Sequence, residues 1–578
     1  MNGAIADTAT SAAVARLERM FGDPFVPDNP LGFAACLAAD ERSELLPAGV
    51  AALERFGLGA EFVPARYGGR LRDITRTIEV MRAVYRRDPC LALGCGASAL
   101  MAATNVWTAG SPQQCSDTAE LLLANSKLAC AYHELAHGND ITGHELTAVR
   151  TGEVLTLNGT KEVIANIASA DAMVVFARTD AAPGPRSHGQ LLLRTDRLPA
   201  DRIHGLPRFH TAGMRGVPLG GIRFTDCPVP ADSVVGGPTD GVATALRSFQ
   251  VTRVALPGMM IGILDTALRL AVRHARGRVL YGRPLAAMPR AEAILSGSFA
   301  DLLCCDAFCG SAAGALVGFP GSAGRYASAV KYLVPRMLID AVTELSGLLG
   351  AGFYVRDGES GYFQKLVRDV RPASFGHASA ISCQLALLPY LPRLARSAWT
   401  ADSPAPDELF RPGNGELDFT RLTLRPDDDD PLVGTLLTAA ERIPAEATEL
   451  RGLAEWFSTR VGELAADCRA LPPHELGAMA SPASLALTTR YATALGAGAC
   501  LGVWLAEGAV DAAWPLVALT RLATRYTGTL RPPDVPSLRD AVTAARRRLG
   551  AELVARADRH QTFDLARHDT CGAAVTAD

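Results

Sequence analysis

The spacing of apolar positions divides the 578-residue chain into blocks of different period. From about residue 40 to 126 apolar side chains recur at helical spacing, broken by turn signals such as Tyr67-Gly68-Gly69 and Gly110-Ser111-Pro112. Near Lys127 the pattern changes to short β-rich runs: Glu153 to Leu157, Ala172 to Phe176, Gln190 to Leu193 and Gly221 to Phe224. Asn158-Gly159, directly after the first run, predicts a hairpin turn. Helical spacing returns from Ala243 to about Ala395, in segments long enough for a four-helix bundle. Residues 399–430, with several prolines, Gly413, Gly415 and the acidic run Asp427 to Asp430, read as a linker by composition. The remainder is helical again. The expected division is an α-helical domain over 1–126, a β-domain over 127–240, a helical bundle over 241–398, a linker over 399–430 and a helical extension over 431–578.

With 48% apolar residues the chain has enough material for a large core, and global disorder is excluded. A net charge of −3 gives no electrostatic case for nucleic acid or an anionic membrane as partner. Thirteen cysteines without CxxC spacing suit a reducing compartment, and the N-terminus lacks a secretory pattern, so a cytoplasmic protein is expected. The apolar stretch Leu495 to Leu519 is interrupted by Glu507, Asp511 and Pro515, which favours a buried helix over a membrane span.

His133-Glu134-Leu135-Ala136-His137 matches the HExxH pattern of zinc proteases, which works only where both histidines share a helix face. Gly138-Asn139-Asp140 follows at once and strand-like sequence soon after, so a loop is the better reading and no metal is expected.

That same loop opens a series of segments that, taken in order over about residues 55–395, resemble the acyl-CoA dehydrogenase family. Tyr132 to Asp140 resembles the Thr-Glu-Pro-x-Ala-Gly-Ser-Asp segment beside the flavin ring. Lys161 to Asn166 resembles Lys-x-Trp-Ile-Thr-Asn. Arg273 to Leu285 resembles a helix end whose Arg reaches a flavin pyrophosphate across a dimer interface. Gly350-Ala351-Gly352-Phe353 and Arg368-Asp369 resemble the glycine loop and Arg-Asp pair that precede the catalytic Glu-Gly-Thr. Val63 to Gly69, Gly213 to Gly216 and Val229-Pro230 have the same look.

The resemblance implies an acyl-CoA dehydrogenase fold, mainly α with a central β-domain, extended by C-terminal helices. It implies non-covalent FAD, held by Tyr132, His133, Gly138, Asn139, Val163, Ala165, Arg278, Tyr281, Gly350, Gly352 and Ser379, in a homodimer or homotetramer. The substrate class it implies is an acyl or aminoacyl thioester on CoA or, preferably, a carrier protein of specialised metabolism, with reaction at Cα and Cβ. The departures are equally specific. His133 replaces the ring-contacting Thr, Asn139 the Ser, Val163 the Trp, Ala165 a hydroxyl residue and Leu280 another Thr. His377-Ala378-Ser379 stands where Glu-Gly-Thr supplies the base. The family's alternative Glu position, just before an Arg on the first bundle helix, is Thr252 before Arg253.

His377, assisted by Arg253, is therefore the candidate catalytic residue; an imidazole base predicts a rate following an apparent pKa of roughly 6–7. A space-filling role for His377 weighs equally. Other outcomes on this scaffold are non-redox carbanion chemistry such as ring closure, flavin monooxygenation, or a catalytically inactive subunit.

Overall fold

The computed structural model describes residues 8–399, 404–411, 413, 415–529 and 533–570. Its centre is the 37-residue helix Gly241–Gly277, packed between Ile74–Arg87 on one side and the long helices Pro289–Gly318 and Pro320–Leu349 on the other. Proline at the first turn opens both of the latter helices, where its missing N–H costs nothing. Asp73 caps Ile74–Arg87 by accepting from the Arg76 amide at 3.1 Å. Close approach needs Gly262: a Cβ there would lie 2.4 Å from the Arg82 carbonyl of the neighbouring helix.

The β-domain is one seven-stranded sheet built from β1 (Leu128–Ala131), β2 (Thr147–Thr151), β3 (Val154–Ala165), β4 (Ala172–Arg178), β5 (His188–Arg194), β6 (Ile203–Leu206) and β7 (Leu219–Pro230). The order is β1-β4-β2-β3-β7-β6, with β5 pairing β4. Its apolar face forms a core of its own, separate from the helical one.

The hairpin lies elsewhere than the sequence suggests. β2 and β3 are joined at Gly152-Glu153, with Gly152 at φ +63°, whereas Asn158 and Gly159 sit inside β3 at a register shift. Gly159 is required there because a Cβ would lie 2.7 Å from the Leu146 Cα, and Asn158 uses its amide to bond Asp226 at 3.0 Å. The strand bulges where a turn was expected.

The proline-rich 399–430 stretch is tightly packed where described. Leu409, Phe410, Leu417, Phe419 and Leu422 are buried, and the Leu417 amide donates to the Arg72 carbonyl at 2.6 Å. The acidic run ends in a buried clamp: Asp430 accepts from Tyr326, Trp399 and Tyr491 at 2.8–2.9 Å, and burial raises its pKa. Five helices follow, from Pro431–Arg442 to Leu538–Asp558. The tail beyond them folds back on the bundle, where the Phe563 amide donates to Asp265 at 2.8 Å and His568 meets Glu79 at 2.9 Å. No disulfide forms among the described residues. Three helices are long and apolar enough to cross a membrane, but 83–94% of each such window is buried inside the fold.

Candidate active site

The loop carrying His377 is gathered between the first and third long helices. Its anchor is Lys331, a single cation in an otherwise apolar stretch of Pro320–Leu349, whose ammonium donates to the carbonyls of Ala373 (2.7 Å) and Gly376 (2.9 Å). His377 itself is held in the left-handed region, φ +66°, which a β-branched residue would resist. Its Nε2 lies 2.7 Å from Oγ1 of Thr252, and its ring meets Phe249 edge-on at 4.4 Å. The two positions at which the resemblance expects a glutamate are therefore in direct contact, and neither holds an acid.

Arg253 follows Thr252 and is 9% exposed. Its guanidinium bonds Ser328 Oγ at 3.1 Å and lies over the Phe249 ring, while its Nε has no partner. Burial, reinforced by the Lys331 and Arg253 charges, pushes the His377 pKa down to about 3. His377 is thus a neutral imidazole at physiological pH, which corrects the apparent pKa of 6–7 drawn from the sequence. Burial, with Arg253 adding to it, lowers Lys331 to about 8.

The second wall of the site comes from the β-domain. His133 to Asp140 forms an irregular loop after β1, so His133 and His137 do not share a helix face. Glu134 is fully engaged: it accepts from Lys161 Nζ at 2.7 Å and from the amides of Glu145 and Leu146 at 2.8 and 3.1 Å. Burial alone would raise its pKa, but the Lys161 ammonium and these donors hold it lowered. The HExxH match is an ion-paired loop. His133 Nδ1 is buried without a partner, and Gly138, at φ +54°, leaves open space where a Cβ would stand. Asn139 Oδ1 accepts from the Ser379 amide at 3.0 Å, which ties this loop to the start of helix Ala380–Leu387 and closes the site beside His377.

Val163, at a register shift of β3, and Asn166, just past the end of that strand, both have positive φ, +57° and +62°. For a β-branched residue this conformation is an outlier costing on the order of 1–2 kcal/mol, a strain that marks functional loops. Ala165 pairs with Leu219 in the sheet. Tyr132 departs from its expected role. Its hydroxyl turns into the core to bond Asn105 at 2.8 Å, so only its backbone is left for a ligand.

Arg278 and Tyr281 stand apart from this group. Arg278 ends the same helix that carries Arg253, 25 residues on, which at ~1.5 Å per residue is ~38 Å. Tyr281 is 98% exposed. Arg278 lines an open cavity of ≈780 Å³ together with Arg273, His274, Leu349 and, from the C-terminal tail, His560. Gly350 and Gly352 adjoin it, and Gly350 is at φ +53° with nothing near its Cβ position.

Arg368 and Asp369 belong to neither group. Asp369 accepts from the Met214 amide and Lys365 at 2.6 Å each, and Arg368 pairs with Asp40 at 2.8 Å. They join the β-domain to the N-terminal helices. The nearby carboxylates and Cys90 are arranged around the Lys365 ammonium rather than around an open centre.

Residues 239–377, which include the entire Thr252–His377 contact, match the family described as acyl-CoA dehydrogenase, C-terminal domain. Over that segment the chain carries an acyl-CoA dehydrogenase C-terminal domain, and its sequence relatives are acyl-CoA dehydrogenases. It is 29% identical to the human mitochondrial short-chain specific acyl-CoA dehydrogenase over 254 residues, which is 42% of this chain and 59% of that one. It is 26% identical to cyclohex-1-ene-1-carbonyl-CoA dehydrogenase of Geobacter metallireducens over 323 residues, 55% of this chain and 82% of that enzyme. The fold matches butyryl-CoA dehydrogenase from Megasphaera elsdenii at TM-score 0.60 and 19% identity, over 66% of this chain and 98% of that one. It also matches the prolyl acyl carrier protein oxidase AnaB at TM-score 0.58 and 19% identity, over 67% of this chain and all of that one. PigA, solved with FAD and proline, matches at TM-score 0.60 and 17% identity, over 67% and 98%.

FAD is the cofactor that the matched domain and the structural likenesses indicate, and two regions of the chain suit it. The unpartnered His133 Nδ1 and the open position at Gly138 suit a flavin face, while the basic cavity at Arg278 suits a pyrophosphate. Sequence reasoning missed Lys331 and Ser328. Their signal was a Ser-x-x-Lys pair, three residues apart on one helix face, inside an apolar run.

Proposed function

We propose that this protein is an FAD-dependent dehydrogenase of an acyl or aminoacyl thioester in which His377 takes the place of the carboxylate base. The observation that carries the reading is the 2.7 Å contact between His377 Nε2 and Thr252 Oγ1. With Nε2–H donating to the hydroxyl, and the hydroxyl donating onward to the Phe249 carbonyl at 3.5 Å, Nδ1 keeps its lone pair. That atom takes the α-proton, and the imidazolium formed releases it after product leaves. FAD, when bound, supplies the hydride acceptor for Cβ. His133, Gly138, Asn139, Val163 and Ser379 would hold the ring side. The Asn139–Ser379 hydrogen bond would hold the two loops together beside His377.

A carrier-bound substrate is favoured over free CoA by likeness to AnaB, whose name specifies a prolyl acyl carrier protein. A second copy of the chain completes the cofactor site. The ~38 Å between Arg253 and Arg278 along one helix exceeds what one cofactor spans, so Arg278 and Tyr281 serve the neighbour's FAD. The deciding experiment is an anaerobic mix of flavin-loaded protein with prolyl-, butyryl-, succinyl- and glutaryl-carrier thioesters. Bleaching of the flavin band with formation of the α,β-unsaturated thioester supports the reading; an unchanged spectrum with every thioester refutes it.

A further inference from the structure

The charges around His377 do not balance. Arg253 is 9% exposed and Lys331 2% exposed, and neither has a carboxylate within salt-bridge or hydrogen-bond distance among the described residues. Arg253 is held by a hydroxyl and an aromatic face, with its buried Nε unpartnered; Lys331 is held by two carbonyls. The remaining polar groups of the cluster, Thr252, Ser328 and His377, are neutral. Most other buried cations are given acids, Arg87, held by the carbonyls of Leu31 and Gly22, being an exception. Arg82 meets Asp306 and Asp564, Lys161 meets Glu134, Lys365 meets Asp88 and Asp369, and Arg521 meets Asp301. What sets Arg253 and Lys331 apart is that two buried cations share one cluster with no counter-charge, a costly arrangement that a bound anion would relieve.

We infer that Arg253 and Lys331 form a receptor for a carboxylate carried on the acyl group of the substrate. The inference rests on the thioester reading above and narrows its substrate class to acyl groups with a second, anionic end. The geometry couples this recognition to catalysis. Both cations act on the His377 ring, so a carboxylate docked between them restores the imidazole as a proton acceptor only when the correct substrate is bound.

The test uses the flavin-loaded protein and pantetheine thioesters of malonic, succinic and glutaric acids, each beside its own terminal monoamide. Each pair differs in charge and hardly in shape. Calorimetry reads binding whether or not any reaction follows, so the outcome is independent of the dehydrogenase assignment. At least one acid binds tenfold or more tighter than its amide, and Arg253→Gln and Lys331→Met each reduce that preference to threefold or less while FAD content is retained. Should either variant fail to fold, the wild-type acid-to-amide ratio still decides. Equal binding of acid and amide at all three lengths overturns the inference, as does a preference that survives both substitutions.

Discussion

His377 and Thr252 hydrogen-bond each other at 2.7 Å, so the two sites from which this family presents its glutamate are one contact here. Replacement at one position alone would leave the other as a fallback. With both replaced by a mutually bonded imidazole and hydroxyl, the proposed reading places proton removal on Nδ1 of a neutral ring.

The pH profile follows from that neutrality. His377, held down to about 3 in the free protein, stays uncharged there from pH 5 to 8, so kcat/KM shows no step near 6.5 in that window. A stopped-flow reduction profile across pH 4–9 checks this. A fitted ionisation between 6 and 7 that disappears in His377→Gln would show that the ring is more solvated than the structure has it.

Lys331 gives the alkaline limb. Its folded pKa of about 8 lies below the ordinary 10.5, so the unfolded chain binds more protons between those values. This group's contribution therefore penalises folding below about pH 8 and is relieved as pH rises toward 10.5. Denaturant midpoints in wild type and Lys331→Met, compared at pH 7 and 9.5, should differ in pH slope: the rising contribution is absent from the variant.

Much of the architecture was legible because helices and strands impose different periods, and the change of period near Lys127 marks the seven-stranded sheet. What misled were local signals overridden by packing. Asn158-Gly159 has turn chemistry, but pairing with β7 keeps both residues in a strand. The 399–430 stretch has linker composition, yet Phe410 and Asp430 seat it in the core. In the site, His377 and Thr252 were locatable by their offsets from glycine and arginine motifs. Their mutual contact was not, since it joins residues 125 apart. Lys331 was invisible for the same reason: only the folded loop brings two carbonyls to it.

Glu134 and Lys161 form the rigid base of the β-domain wall, with side chains at most 8% exposed. Removing one partner leaves a buried uncompensated charge, so Glu134→Ala should cost about 3–5 kcal/mol. Urea unfolding checks the size. A loss under 1 kcal/mol would mean that water reaches the pair.

Arg278→Ala should weaken FAD retention by about 10- to 100-fold, the range for losing a charge-assisted hydrogen bond. Because the same loop exposes Tyr281, light scattering on the wild-type protein should return a dimer or tetramer. A monomer that keeps a full complement of FAD would remove the shared-site account.

The most direct test of the central claim is the rate of anaerobic flavin bleaching in wild type, His377→Ala and His377→Glu, with a carrier thioester that reduces the wild type. If His377 is the base, His377→Ala loses about 100- to 10,000-fold in rate at unchanged FAD content, and added imidazole restores part of it. His377→Glu retains activity and gains an acidic limb to its pH profile. A His377→Ala protein that bleaches at the wild-type rate would contradict the account.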